Sequence, residues 1–386
     1  MIKEERIKKN LEKFAFPRLS GTDSELKAFN KVMQEVEELN LEFEVQGFTF
    51  SSFYSRIYPK IAFTSGSLIQ LILILNLNLI ILLPLILILL LILLVSFIIT
   101  RKPERIQFIS KLNSQNILVK VKSRLDYKEN NERVLLFISH LDSKGQRFTI
   151  NVRIKMIKLW ILSSIILTIF LPLKFLTYLR FELTFYVIGL FPVLLNIISF
   201  VAIVLNTVNN TSEGAVDNAS GIICNLELLK FYSKPENRLN NYNLWFLFTG
   251  AEECGTMGIR HFYNNLKNFD VKKSVGFNFE SIANHVYLFP GGKEGDHAKD
   301  IDSLLLNNKR NLEIHHFKTN RVLGAHSDGD FLGNRGFQGY GIGEVEAYNY
   351  IHTANDTIDK INTNVLTKLC LVLTDSLKEH DSRFFK

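Results

Sequence analysis

Cysteine is scarce in this chain. Its 386 residues hold three, Cys224, Cys254 and Cys370. No two have the spacing of a zinc knuckle, and so few scattered thiols exclude a disulfide framework. That fits a reducing compartment or free buried thiols. Cys254, directly after Glu253, reads as a small buried residue in a tight turn. The net charge is a modest +7, and no basic stripe with interleaved aromatics occurs, so no nucleic acid partner is expected. A basic balance beside apolar blocks fits a membrane surface better. No signal peptide is expected either. Residues 1–14 are charged, with Ile2, Ile7, Leu11 and Phe14 on one helical face. No internal repeat is present.

What the chain has in excess is apolar sequence, and the excess is local. Hydrophobic residues make up 47%, yet the mean hydropathy is +0.11, high for a soluble enzyme. Residues 68–99 are an almost unbroken Leu and Ile run, broken by Gln70, Asn76, Asn78, Pro84 and Ser96. Such a run is too long and apolar for a core helix and reads as membrane-embedded. A second block, 156–208, holds two candidate spans, 156–171 and 185–205, joined by a stretch with Lys174, Arg180 and Glu182.

Soluble patterning surrounds these blocks. Thr22-Asp-Ser-Glu25 reads as a capping box opening an amphipathic helix that ends near Asn40. Strands are expected at 42–50, 116–122, 133–139, 243–248, 274–279, 286–289 and 341–345. Helices are expected at 219–232, 255–267 and 364–379. Strands alternating with helices predict an α/β fold: a three-layer, mainly parallel mixed sheet with helices on both faces, interrupted by transmembrane helical insertions. The segments are 1–66, 101–154 and 209–386 for the soluble domain, with a membrane hairpin or span at 67–100 and two membrane helices at 155–208.

Five short motifs fall at the ends of these strands and at loops. They are His140-Leu-Asp142, Asp217-Asn-Ala-Ser-Gly221, Glu252-Glu253, Glu280 and His352 in Tyr350-Ile-His-Thr-Ala-Asn-Asp356. Alone, each has a plain reading: a surface His-x-Asp pair, a helix N-cap at Asp217, a solvated turn, an exposed strand end, a loop histidine. Together they suit a two-metal hydrolase. Hydrolysis of a peptide bond needs an activated water, a polarised carbonyl and a proton donor for the leaving amine, and two ions about 3.5–4 Å apart share the first two tasks. His140 closes an apolar strand, and Asp142 is placed to hold its other ring nitrogen. Adjacent Glu252 and Glu253 point apart, so one can bind metal while the other faces water. Successive strand ends converge on one edge of a parallel sheet.

As a set, these motifs resemble the zinc-dependent aminopeptidase family that includes aminopeptidase Y and bacterial leucyl aminopeptidase, with glutaminyl cyclases and glutamate carboxypeptidases as relatives. The resemblance runs from Phe16-Pro-Arg-Leu-Ser-Gly-Thr through Ile138-Ser-His-Leu-Asp-Ser, Val216-Asp-Asn-Ala-Ser-Gly, Thr249-Gly-Ala-Glu-Glu-Cys-Gly and Phe277-Asn-Phe-Glu, to His326-Ser-Asp and His352-Thr-Ala-Asn-Asp-Thr-Ile-Asp-Lys. It implies a di-zinc aminopeptidase acting on peptides. His140 and Glu280 would sit on opposite ions, His352 and Glu253 would complete the two shells, and Asp217 would bridge. Glu252 would be the general base, passing a proton from water to the leaving amine, and Asp142 would orient His140. Three departures stand out. The family usually has Asp at the position of Glu280. A Tyr commonly precedes the final His, where this chain has Ile351 with Tyr350 one place back, so the oxyanion donor is unassigned. Asp142 and Asp217 are 75 positions apart (217 − 142) because the second apolar block lies between them.

A parity argument follows. His140 precedes the second block and the remaining ligands follow it, so that block must cross the bilayer an even number of times. The first block must also return if residues 1–60 share the fold. Two full crossings in ~32 residues would be short, since a span takes ~20. A tight or re-entrant hairpin turning near Asn76–Pro84 is therefore expected, with one long tilted span as the alternative. Arg56, Lys60, Arg101, Lys102, Arg105, Arg153, Lys155 and Lys158 flank the blocks on the domain side, which predicts a cytoplasmic catalytic part.

Overall fold

The computed structural model describes the chain apart from residues 1, 76, 108, 126–132, 178–181, 267–268, 292–294, 318–326 and 384–386, and apart from the side chains of 170–177 and 182–186. The chain divides into two compact units. One comprises Met1–Phe50, Lys111–Gly145 and Asn209–Lys386; the other comprises Ser51–Ser110 and Gln146–Val208.

The first unit is built on an eight-stranded sheet. Its strands are β1 (Phe43–Ser51), β2 (Lys111–Val121), β3 (Val134–His140), β4 (Asn243–Thr249), β5 (Val275–Phe279), β6 (Val286–Pro290), β7 (Ile314–His316) and β8 (Gln338–Gly343). Their order across the sheet is β1-β2-β4-β3-β5-β8-β6-β7. The centre is parallel: β4 with β3, β3 with β5, β5 with β8. Antiparallel pairings of β2 with β4 and of β8 with β6 flank it.

β3 is buried along its whole length, which is why Val134-Leu-Leu-Phe-Ile reads as a continuous apolar run rather than an alternating one. Its side chains still alternate between two faces. Leu135 and Phe137 join one core with Leu244, Phe246 and the helices Ser220–Tyr232 and Thr363–Arg383. Leu136 and Ile138 join a second core with Trp245, Ile259 and Phe262 on the helix Met257–Asn265, and Phe331. In the first core Phe137 stacks on Phe246 and on Phe277, with ring centroids 5.0 and 5.4 Å apart. All three rings are fully buried, each contributing roughly 1.5–3 kcal/mol of burial free energy.

Arg18 binds the unit's three segments together. Its fully buried guanidinium donates to the carbonyls of Phe14 and Phe16, of Leu141, and of Glu213 and Gly214. Burial pulls its pKa down to about 10, yet those five acceptors satisfy the fork.

Local readings needed revision at three places. Thr22 precedes the helix Asp23–Glu37, but its hydroxyl donates to Leu19 O and caps nothing. Glu25 turns inward instead. Its Oε2 accepts from Gly21 N (2.6 Å), and its Oε1 accepts from Ser114 Oγ and Ala251 N (both 2.8 Å). The strand expected at 341–345 lies at 338–343 because Gly339 and Gly341 pair with β5 and leave Glu344 in the loop. The helices Asp296–Leu306 and Asp328–Gly333 and the strand β7 were not foreseen.

The second unit is helical. Its long helices are Tyr58–Ile74, which continues from the turn Phe53–Ile57, then Leu79–Thr100, Ile150–Thr177 and Glu182–Leu205. The first apolar block is thus two helices, as a hairpin requires, and the first begins well before residue 68. The break falls before Asn78, whose Oδ1 accepts from Ile80 N, while Pro84 sits inside the second helix. Among the described residues three helical stretches are long and apolar enough to cross a membrane: Phe53–Ile74, Leu79–Thr100 and Val187–Leu205. Ile80 is 80% exposed and Leu87 63%. Inside the unit the contacts are polar. Trp160 Nε1 donates to Ser67 Oγ (2.8 Å) and Ser67 Oγ to Asn196 Oδ1 (2.9 Å), while Asn196 Nδ2 donates to Ser163 Oγ and Ser164 Oγ (3.2 and 3.1 Å).

Candidate metal centre

The parallel strands deliver their carboxyl ends to one edge of the sheet, the place where open α/β sheets carry sites. His140 is the last residue of β3, paired with Thr249 at the end of β4. Glu252 and Glu253 follow β4, Glu280 follows β5, and His352 lies in the loop after β8. Asp217 precedes the helix Ser220–Tyr232, and the Asp217–Asn218 bond is cis.

Asp217 is the hub. Its Oδ1 lies 3.1 Å from His140 Nε2, and its Oδ2 lies 3.0 Å from His352 Nε2. His352 Nε2 is also 2.8 Å from Glu253 Oε1. One ligand atom from each of Asp217, Glu253 and His352 lies within 4.8 Å of the others. Glu280 is drawn to the same edge, where its Oε2 accepts from Asn278 Nδ2 (2.8 Å). It does not join the Asp217–Glu253–His352 group.

Supporting contacts hold this arrangement. Asp142 was expected to orient His140 through its carboxylate. The nearer acceptor of His140 Nδ1 is the Asp142 main-chain oxygen at 3.1 Å, with Oδ1 at 3.4 Å. The carboxylate itself accepts from the amides of Glu252 (3.1 Å) and Glu253 (3.0 Å) and from Ser20 Oγ (2.5 Å). It therefore positions the Glu252–Glu253 turn. Ala251 enters that turn with φ 52°, in the left-handed region. Asp356 grips the Asp217 loop through the amides of Val216 (2.7 Å) and Asp217 (3.3 Å). Lys144 Nζ donates to Glu253 Oε2 at 2.5 Å.

Lys144 and Tyr348 went unnoticed in the sequence, Glu25 was read only as a capping partner, and Asp328 was quoted without a role. Asp328 is buried and accepts from Thr249 Oγ1 at 2.5 Å. The His326-Ser-Asp motif was the only signal for it, and His326 lies outside the described residues.

The electrostatics are those of carboxylates crowded out of water. Burial opposes ionisation of Asp217, but His140 and His352 outweigh it and hold its pKa far below the usual carboxylate range. The same balance, with His352 and Lys144, puts Glu253 at about 2. Burial pushes Glu280 up to about 8, with Asp217, Asp328 and Asp330 adding repulsion. Glu252 is raised well above the ordinary value, by burial first and then by Glu280, Glu253 and Asp328. Burial would lower both histidines, yet the surrounding carboxylates raise them. Two adjacent carboxylates are thus driven apart, one held ionised and one ready to take a proton.

The residues present fit a divalent metal. His140 Nε2, Asp217 Oδ1 and Glu253 Oε1 are buried with no hydrogen-bond partner, although the first two are 3.1 Å apart. The distance suits a hydrogen bond and the direction does not. Orphaned buried donors and acceptors aimed at one another are costly unless something else satisfies them, and an imidazole and carboxylate set is suited to zinc.

None of the curated proteins matches this chain. Residues 201–375 match peptidase family M28. Among solved structures, an aminopeptidase from Aneurinibacillus sp. strain AM-1 is similar at 13% identity and a TM-score of 0.57, covering 98% of this chain and 94% of that one. A zinc aminopeptidase from Bacillus subtilis is similar at 12% identity and TM-score 0.57, with 98% and 95% covered. A glutaminyl cyclase from Fimbriiglobus ruber gives 12%, 0.55, 98% and 95%. The chain is thus similar to peptidase family M28 over residues 201–375 and shares its fold with zinc aminopeptidases.

Proposed function

We propose that this protein is a membrane-embedded di-zinc aminopeptidase that removes N-terminal residues from peptides, with its catalytic part in the cytoplasm. The observation that carries the reading is the split carboxylate of Asp217, one oxygen toward His140 and the other toward His352. That is what a bridge between two ions requires. Glu253 and His352 would hold one ion with one oxygen of Asp217, and His140, with Glu280, would hold the other, rather than His140 and Glu280 standing on opposite ions. Bound there, two zinc ions would polarise the scissile carbonyl and lower the pKa of water. The remaining work falls to the chain. Glu252 takes a proton from the attacking water as the new C–O bond forms. It gives that proton to the amine nitrogen as the C–N bond breaks, which leaves a free carboxylate and a shortened peptide. Asp142 keeps Glu252 in reach through the turn's amides.

The test is metal content and peptide hydrolysis, measured on wild type and on Glu252→Gln. About two zincs per chain are expected in both, with hydrolysis lost by several orders of magnitude in the variant. Full activity in the variant would remove Glu252 from the mechanism.

A second reading has one observation in its favour. The tight ligand group contains three residues, Asp217, Glu253 and His352, enough for one ion. A single-zinc glutaminyl cyclase would bind one zinc per chain and release ammonia from a peptide with N-terminal glutamine, leaving the peptide bonds intact.

A further inference from the structure

The helical unit encloses a cavity of about 300 Å³ that the peptidase reading does not use. It lies where three helices begin or end. Arg56 comes from the turn Phe53–Ile57, Lys60 from the first turn of Tyr58–Ile74, and Arg153 from the first turn of Ile150–Thr177; Ala202 and Ile203 close it from the last turn of Glu182–Leu205. Three cations line it, and no aspartate or glutamate does so among the described residues. One turn further into the apolar helices the lining changes to Phe63 and Ile157. The cavity is therefore cationic at one end and apolar at the other.

Ordinary flanking charge does not explain this. Lys155 and Lys158 belong to the same helix start and are exposed, whereas Arg56, Lys60 and Arg153 are half-buried. Arg153 is held in place, donating from Nη1 to Gln146 Oε1 at 2.5 Å. Tyr54 and Tyr58 stack at the same level, centroids 6.4 Å apart, as aromatic residues do at a membrane interface.

We infer that this cavity holds one anionic phospholipid, its phosphate among Arg56, Lys60 and Arg153 and its first methylenes against Phe63 and Ile157. Basic pockets between membrane helices take such headgroups. A free phosphate would satisfy the charge and leave the apolar floor unused, so the amphiphile is the better match. The inference rests on the reading that these helices sit in a bilayer.

The full-length protein, purified in a neutral detergent, is titrated with phosphatidylglycerol or phosphatidylcholine in mixed micelles, with native mass spectrometry counting bound lipid. One phosphatidylglycerol per chain is expected, held in preference to phosphatidylcholine. Arg56→Gln/Lys60→Gln/Arg153→Gln should weaken it at least about tenfold, and Lys155→Gln/Lys158→Gln should leave it unchanged. Ala202→Trp, which keeps every charge and fills the cavity, should also release the lipid. If the triple variant misfolds, this last variant decides the matter. Equal retention of phosphatidylcholine, unchanged binding in Ala202→Trp, or full displacement by inorganic phosphate would each overturn the inference. A wild-type chain that does not insert into vesicles at all would overturn the membrane reading itself.

Discussion

Position in sequence and position in space part company most sharply at single residues. The sequence left the oxyanion donor unassigned, with Tyr350 two places before His352 as the nearest phenol. Tyr350 is governed by burial and then by Glu344, Asp356 and Glu346. Tyr348 is raised by burial first and then by Glu280 and Asp217. It thus stays protonated next to the ligand set, as a donor to developing negative charge must. Tyr348→Phe should lower kcat by about 10²–10³ with KM and zinc content little changed, while Tyr350→Phe should leave kcat near wild type. Steady-state kinetics of the two variants with one peptide substrate decides between them. Glu25 yields a prediction of a different kind. Burial, and Asp142 after it, raise its pKa from 4.5 to about 8. The folded chain therefore keeps a proton that the unfolded chain gives up near pH 4.5. Stability from this group is full below about pH 4.5 and is lost as pH rises through about 8. Glu25→Gln carries no such titration, so the fall in Tm across that window should be shallower in the variant than in wild type. Neither residue was legible as a site neighbour. Glu25 satisfied a local capping pattern, and nothing within a few positions of it reveals Ser114 and Ala251 as its partners. The candidate ligands could be proposed from sequence because each strand run names its own end: His140 closes one strand, and Glu253 and Glu280 lie a short step beyond two others.

Elements were read well where both faces are covered by apolar packing and poorly where polar residues make the contacts. β3 and β4 stood out because both faces of each strand are covered, giving unbroken apolar runs. The helix Tyr58–Ile74 starts before the apolar run at 68, because its first ten residues carry Thr64, Ser65, Gly66 and Ser67. Those residues look like solvent-facing polarity in sequence. In the structure Ser67 meets Trp160 and Asn196, and a Cβ on Gly66 would stand 2.8 Å from Trp160 Cζ2. Helices in lipid gain little from apolar contact with one another and rely on small residues and shared hydrogen bonds. Asn196→Leu removes the centre of this network. It should destabilise the helical unit by about 0.6–2 kcal/mol, read as earlier unfolding in detergent, without altering zinc content. An unchanged midpoint would show that the network is dispensable for helix association.

At the scale of the molecule, the chain leaves the sheet-bearing unit twice and returns twice. Arg18 makes the return obligatory for all three segments. It draws on carbonyls from Phe14 and Phe16, from Leu141, and from Glu213 and Gly214, and no such set can form across a bilayer. Each helical insertion must then cross an even number of times. In a bilayer the first would supply its two crossings as Phe53–Ile74 and Leu79–Thr100, both long and apolar enough to cross. The second must pair Val187–Leu205 with the helix Ile150–Thr177. The sequence alone pointed to a tight or re-entrant hairpin, with a single tilted span as the alternative, because an apolar run of about 32 residues is short for two spans when its polar beginning is not counted. The resulting topology is open to direct measurement. In sealed vesicles, cysteines introduced singly at Glu12, Glu236 and Glu379 should all react with an impermeant maleimide from the same side. A cysteine at Arg180, between the second pair of helices, should react only from the other. On the proposed orientation, which follows the excess of Arg and Lys at the domain-side flanks, the first side is expected to be the cytoplasm. Labelling of Glu12 and Glu379 positions from opposite sides would require an odd number of crossings. The three segments could not then share Arg18, nor His140 and Asp217 a metal, and the proposed centre would fail with them.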